Sequence, residues 1–593
     1  MLGNKHQTYK NNKQEQISDA IGRKLSIILF AFMSSVFIWW LYCSISYFGT
    51  IVSADPIETT LNTSNSVIEQ HRILTNFGAL TIIALIGLAT VILFSAKIRI
   101  KILSLIRFLA FHPKSVFIVM LCWQFIIIIC YIPAHLRYDA RTAQTSVVNA
   151  IAHPGIYDSY LSTYPNNAFL YLIEYIPAKI LSVILDDKFT MNEAQAVTMV
   201  AFFMQLINIA TVDISILLMK KIIKPVSEYA SKYAYLLMVL LLGCSTWVII
   251  PYTDTFSLIP TMWLLSLIIH SLKEKLTRHP YPLDPKTIII FLTHFILIGI
   301  ASCFAYSMKP SSVIPLIAFL IIWFFLHLGK QIITYFIPSL LSIIIGFGII
   351  LVPLHAIEHT IFNYNENQSV PMTHYIMMGM KDHGRYNTYD YKQTTARSTI
   401  EEKKQYNLSV IQQRLNSYGP GGYLSFLLKK SYYNTADGTF SDNSYLTVLN
   451  EQKGTGWIGI GKNNPIYKYN VIPLVYIQNF LTDGEDSHQI YEIIMQMIYI
   501  ITIFGMLSCA FALYKKKENL HTIALEAWIM LTILGGYTFL LLFEAGRSRY
   551  IIQFLPFIFF LSALGWNHIE TSKICVIYKD INHKTITSIL NKK

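Results

Sequence analysis

Long apolar runs, separated by short polar loops, recur from one end of this chain to the other. A run of about 17–25 apolar residues is what an α-helix needs to cross roughly 30 Å of hydrocarbon. Twelve runs meet that description: 25–47, 75–95, 115–133, 194–219, 234–250, 255–271, 288–307, 312–328, 332–356, 489–514, 523–543 and 550–566. The pattern predicts an all-α polytopic membrane protein. The first run is too long for a secretory signal and no small-residue cleavage site follows it, so it reads as the first span. A further run, 166–185, carries Glu174, Pro177 and Lys179.

Charge decides how that extra run is read. Basic loops favour the cytoplasmic side. The basic segments are AKIRIKILSLIR (96–107), KKIIK (220–224), LKEKLTRH (272–279), YKKKEN (514–519) and the tail after Asn567. Twelve spans with a cytoplasmic N-terminus put all of them inside. A thirteenth crossing at 166–185 would turn KKIIK outward. The run is therefore expected to lie in the outer interface or dip into it, leaving the acidic stretch DDKFTMNE (186–193) outside. The net charge of +13 sits largely in these loops, where it sets orientation; it is not a nucleic-acid signature. The seven cysteines show no metal-ligand spacing and no disulfide framework.

Four regions follow: 1–114, a cytoplasmic N-terminus with two spans; 115–356, a core of spans; 357–488, a polar, tyrosine-rich insert long enough for a small domain outside the membrane; and 489–593, the last spans and a basic tail.

Four polar clusters fall where a span meets the outer surface. The first, RYDART (137–142), runs on into HPGIYDSYLSTYPNNAF (153–169). The others are IPYTDTFSL (250–258), YSMKPSS (306–312) and FEAGRSRYIIQFLP (543–556). A carboxylate at a membrane surface is costly to desolvate and is seldom there without a role. Asp139 lies between Arg137 and Arg141, and a carboxylate beside phosphate-binding guanidinium groups points to chemistry on a lipid phosphate. Asp254, Lys309, Glu544, Arg547 and Arg549 join it as candidates, with Asp158, Tyr164 and Asn166 for a sugar or acceptor. Each has a plainer alternative. Asp139 can pair with its neighbouring arginines, Asp254 can cap a helix, and lysine and arginine can snorkel to headgroups. The string HAIEH (355–359) matches the H-x-x-E-H zinc-peptidase pattern, with loop histidines as the simpler reading.

Together the four clusters resemble the GT-C superfamily of integral-membrane glycosyltransferases, which includes protein O-mannosyltransferases and the aminoarabinose transferases of lipid A. YPNN (164–167), PYTDTFS (251–257), KPSS (309–312), PMTHYIMMGM (371–380) and GRYNTYD (384–390) are similar to a group of Gram-positive bacterial members. The resemblance implies a GT-C core with juxtamembrane helices and one large outer loop. It implies an inverting transfer of one sugar from a polyprenyl-phosphate donor to an envelope glycan or lipid-linked saccharide outside a bacterial plasma membrane. Asp139 would then be the general base and Asp254 would position the acceptor or a metal. Lys309, Arg547 and Arg549 would hold the donor phosphate, helped by Arg137 or Arg141. A divalent metal fits this reading, but no sequence feature requires one. Two rivals are a polysaccharide polymerase or ligase, and a transporter or flippase.

Overall fold

The computed structural model describes residues 2–53, 96–131, 135–136, 138–186, 189, 192–273, 284–329, 331–381, 384, 386–440, 446–448, 458–460, 469, 471–481, 487–516, 518 and 520–571. The predicted span 75–95 lies outside the described residues, as does Arg137.

Helices dominate, in chain order α1 (Leu2–Ser53), α2 (Ala96–Phe111), α3 (Pro113–Tyr131), α4 (Tyr138–Ala152), α5 (Ser159–Thr163), α6 (Ala168–Leu185), α7 (Glu193–Ile223), α8 (Glu228–Met238), α9 (Thr253–Phe256), α10 (Leu258–Lys273), α11 (Pro285–Met308), α12 (Ile314–Leu326), α13 (Ile337–Ile361), α14 (Met372–Met378), α15 (Thr388–Thr395), α16 (Ile400–Thr435), α17 (Ile472–Leu481), α18 (His488–Lys516), α19 (Ala524–Phe543) and α20 (Leu555–Thr571). The expectation of a purely helical chain needs one amendment. Strand β1 (His135–Leu136) pairs antiparallel with β3 (Ile458–Ile460), and β2 (Leu446–Val448) pairs parallel with β3. This small sheet ties the insert to the chain just before Asp139.

Among the described residues, ten helical segments are long and apolar enough to cross a membrane, and the protein is an integral, multi-pass membrane protein. Contacts between helix ends show how they run. At one end of the bundle, the Tyr235 hydroxyl donates to the Pro113 carbonyl (2.8 Å), Lys273 Nζ to the Pro225 carbonyl (2.7 Å), and Ser26 Oγ to the Glu518 carbonyl (3.5 Å). At the other end, Asp254 meets Lys309, and Gln489 reaches the Ile51 carbonyl (2.5 Å). The second end carries the candidate residues and is called the site end; the first is the far end. Nine of the predicted spans coincide with those ten segments; 312–328 corresponds to a shorter apolar helix, and 234–250 to a broken one.

Helix α6 is apolar and long enough to cross, and its first half belongs to the site end. It starts beside Tyr164, and Tyr171 and Tyr175 pack edge-on against Phe362 at the end of α13. A short connection then reaches Glu193, the first residue of α7, whose carboxylate meets His153 at 2.8 Å. From there α7 descends to the far end. Ile176, Ile180, Val183 and Ile184 on α6 are exposed.

The predicted span 234–250 is not one continuous helix. After Met238 the chain makes a π-turn (Val239–Gly243) and a 3₁₀ turn (Thr246–Ile249). Backbone carbonyls freed by such a break must find partners, since lipid offers none. Neighbouring helices supply them. Gln124 Nε2 donates to the Gly243 carbonyl (3.0 Å) and the Trp123 indole to Cys244 (2.9 Å). Asn208 Nδ2 donates to Trp247 and Val248 (2.8 Å each), and Gln205 Nε2 to Ile249 (3.0 Å). The break delivers Tyr252 and Asp254 to the site.

Small residues let two passes touch along their backbones. A Cβ on Gly565 of α20 would sit 1.8 Å from the Gly505 carbonyl oxygen of α18, so neither helix accepts a side chain there without moving. Gly348 of α13, in contrast, has nothing within 4 Å of its missing Cβ. Gly565→Ala is therefore expected to lower thermal stability in detergent, in the range of about 1–3 kcal/mol usual for overpacking. Gly348→Ala is expected to be neutral or mildly stabilising, because alanine is the better helix former. Equal unfolding temperatures for the two variants would contradict the backbone contact.

Candidate functional site

The site is assembled from segments distant in sequence. Asp139 stands in the first turn of α4, half-buried. The Tyr252 hydroxyl donates to its Oδ2 at 3.3 Å, and the Tyr160 hydroxyl from α5 reaches the same carboxylate. Asp254 lies two residues beyond Tyr252 on the single turn α9 and is fully buried. Thr255 holds that turn by donating to Asn208 Oδ1.

Lys309, in the hairpin between α11 and α12, places its ammonium on Asp254 Oδ1. Both groups are buried. A buried charge needs a partner of opposite sign, and each supplies it for the other. Asp254 Oδ2 has no hydrogen-bond partner among the described residues. The Lys309 ammonium also lies 5.0 Å from the centre of the Tyr550 ring. The hairpin is fixed to α20's approach, because Ser311 and Ser312 each donate to Gln553 Oε1 at 3.0 Å.

Arg549 completes the cluster. Its guanidinium donates to the Tyr550 hydroxyl (2.9 Å) and lies 5.8 Å from the Tyr252 ring centre. Tyr252 thus has Asp139 at its hydroxyl and Arg549 over its ring. Glu544 follows the last residue of α19. Burial pushes its carboxyl up from the ordinary range, and Lys309 and Arg549 pull it back.

The insert forms a roof over these groups. Tyr375 of α14 lies in the electrostatic reach of Glu544, Tyr550 and Asp139. The rings of Tyr164 and Tyr391 face one another at 6.4 Å and 17°, with Tyr160 5.0 Å from Tyr164 and Tyr386 5.8 Å from Tyr391. Arg414 of α16 grips Asp390 through two hydrogen bonds (2.8 and 2.9 Å) and also donates to the Met377 carbonyl, locking α14 and α15 onto α16.

The structure brings Asp139, Asp254, Lys309, Glu544, Arg549 and Tyr164 into this one region. Arg547 stands at its edge: its backbone N–H donates to Asn434 Oδ1 at 2.9 Å, and its charge acts on Tyr550. Arg141 is half-buried in the first turn of α4, two residues beyond Asp139 and so turned to another face of the helix. Two candidates are placed otherwise. The Asp158 carboxylate caps α5, its Oδ1 accepting from Leu161 N–H at 2.8 Å. Asn166 is exposed on a 3₁₀ turn.

Sequence reading missed Lys430 of α16. It is fully buried, donates to the Gly379 carbonyl at 2.9 Å, and feels the Glu544 charge. Burial pulls its ammonium down to about 8. Asp437 was missed as well; it accepts from Ser548 Oγ at 2.8 Å. The signal for Lys430 was a lysine pair, KKSYY, inside an insert expected on the side that topology keeps poor in lysine.

A family model described as "Conserved hypothetical integral membrane protein" matches residues 29–570. The chain belongs to that family. No curated protein and no solved structure matches it.

The buried pair gives a direct test. Breaking a buried ion pair from one side leaves an uncompensated charge and costs about 3–5 kcal/mol, whereas replacing both partners is often near neutral. Lys309→Met alone is expected to lower the unfolding temperature in detergent sharply. Lys309→Met combined with Asp254→Leu is expected to recover most of the loss. Additive losses in the double variant would show that the two side chains act independently.

Proposed function

We propose that this member of the family transfers a sugar from a polyprenyl-phosphate donor to a hydroxyl of an envelope glycan or lipid-linked saccharide, with inversion, at the outer face of a bacterial plasma membrane. The observation that carries the reading is the placement of Asp139 and Arg549 about the single side chain Tyr252, a carboxylate 3.3 Å from its hydroxyl and a guanidinium 5.8 Å from its ring centre. The resemblance of the same four segments to GT-C enzymes points the same way.

In this reading the acceptor hydroxyl gives its proton to Asp139. Its oxygen forms the new bond to the anomeric carbon as the bond from that carbon to the phosphate oxygen breaks. The polyprenyl phosphate leaves with the electron pair, and its growing charge is met by Arg549, whose planar fork suits phosphate oxygens. Lys309 contributes its field while paired with Asp254. It already supplies the countercharge that Asp254 needs, so the scheme runs on the chain's own charges. The uncommitted oxygen of Asp254 is available to a substrate hydroxyl. The tyrosines of the roof offer flat faces and hydroxyls suited to sugar rings.

Sidedness rests on the far end, where Lys114, Lys220, Lys221, Lys224, Lys232 and Lys273 gather. Such a concentration marks the cytoplasmic side. With native cysteines replaced, an impermeant maleimide is expected to label Ser417→Cys in intact cells and Lys221→Cys only after lysis. The reverse pattern would turn the site inward and remove the outer-face reading.

Removing a general base costs about 10²–10⁴ in rate. Asp139→Asn is expected to fold and bind donor but lose transfer by that factor, measured with a polyprenyl-phosphate sugar and an envelope acceptor. Arg549→Lys, which keeps the charge but loses the fork, is expected to weaken donor binding. Near-parental turnover in Asp139→Asn would exclude Asp139 as the base.

A further inference from the structure

A second cluster lies on the same end of the molecule, outside the site. His355 and His359 stand one turn apart near the end of α13, their ring centres 4.5 Å apart. Glu366, from the 3₁₀ turn that follows (Glu366–Gln368), reaches back to both. Its Oε1 is 3.2 Å from His359 Nε2 and 3.7 Å from His355 Nδ1, and one ligand atom from each of the three residues lies within 4.8 Å of the others. The Tyr364 ring stacks on His359 at 4.4 Å and 12°, and its hydroxyl donates to the same Glu366 oxygen at 3.4 Å. Both a histidine and the carboxylate are therefore held in place.

We propose that His355, His359 and Glu366 form a binding site for a late first-row divalent metal, Zn²⁺ in the first instance. Two imidazoles and a carboxylate are a borderline donor set that suits zinc; Mg²⁺ and Ca²⁺ prefer oxygen alone. Tetrahedral zinc with bonds near 2.0–2.1 Å separates its ligand atoms by about 3.3 Å. The two distances to Glu366 fall on either side of that value, so small rotamer changes close the site. The three side chains are substantially exposed, which leaves the fourth position to water.

The HAIEH pattern is met here in an altered form. Glu358, the residue that would serve a peptidase as base, is turned inward and buried, 4.0 Å from His355. The third ligand comes from Glu366 instead. The metal would clip the end of a membrane span to the strap that leaves it. That strap carries helix α5. The Asn363 carbonyl accepts from Asp158 N–H (2.8 Å), Asn365 N–H donates to Ser162 Oγ (2.9 Å), and Val370 N–H donates to the Thr163 carbonyl (3.1 Å). Helix α5 presents Tyr160, and Tyr164 follows it. The site is thus a structural clip set behind the tyrosines, and it stands whether or not the sugar-transfer reading does.

The test uses full-length, untagged protein in detergent, stripped with a chelator. Zn²⁺ is expected to bind at roughly one equivalent per chain and to raise the unfolding temperature, while Mg²⁺ and Ca²⁺ do neither. Co²⁺ in its place is expected to give the visible absorption of a four- or five-coordinate N/O site. His355→Ala and His359→Ala should each weaken Zn²⁺ binding at least tenfold and abolish the Co²⁺ band. Glu366→Gln, which preserves shape, should weaken binding without disturbing the far-ultraviolet circular dichroism, and it stands in if a histidine variant misfolds. Parental protein that binds no Zn²⁺, or variants that bind it as the parent does, would overturn the proposal.

Discussion

The break in the pass from Glu228 to Ile249 is the constraint on which the rest depends. A helix interrupted inside a bundle exposes carbonyls that neither lipid nor water can satisfy, and each left alone costs several kcal/mol. Gln124, Trp123, Gln205 and Asn208 take up those carbonyls one by one. Gln124 is itself shared, since its amide also donates to Asp213 Oδ1 at 2.9 Å. Asn208 then accepts from Thr255, so the same side chain that repairs the break also orients the turn bearing Asp254. Remove these amides and the route from span to site has no fixed geometry.

Much of this was legible from hydropathy. Side-chain apolarity reports which segments avoid water, and nine of the runs it marks coincide with helices long and apolar enough to cross. It is silent on the backbone. The run 234–250 is apolar throughout and reads as a continuous span, while the π-turn within it is a backbone event. The trace of that event lay elsewhere in the sequence, in amide residues placed inside the neighbouring spans. The run 166–185 shows the opposite limit. Its length and composition suit a crossing, and only charge parity argues against one.

The candidate residues divide along the same line. Asp254, Lys309, Glu544 and Arg549 were visible because charges at span ends are rare and expensive. Asp158 was read by the same rule, yet its environment is a helix start, where a carboxylate has ordinary work. Lys430 was not read at all. It lies in a segment with ordinary polarity, and only tertiary packing converts it from a surface lysine into a buried cation beside Glu544. Residue type locates buried charge well where the background is apolar and poorly where it is mixed.

The roof carries a consequence of its own. Its three helices are bound together by the forked Arg414–Asp390 pair and by a chain from His374 through Thr394 to Asn407. Lys403 fastens it to the strap at Gln368 and Ser369, and Asn434 and Asp437 fasten it to the hairpin of Arg547 and Ser548. A cover pinned on several sides by buried polar contacts does not swing open as a hinged lid does. Ile176, Ile180, Val183 and Ile184 of α6 set an exposed apolar face beside the same tyrosines, so a molecule carried in the bilayer plane would meet the carboxylates from that side without the cover having to move.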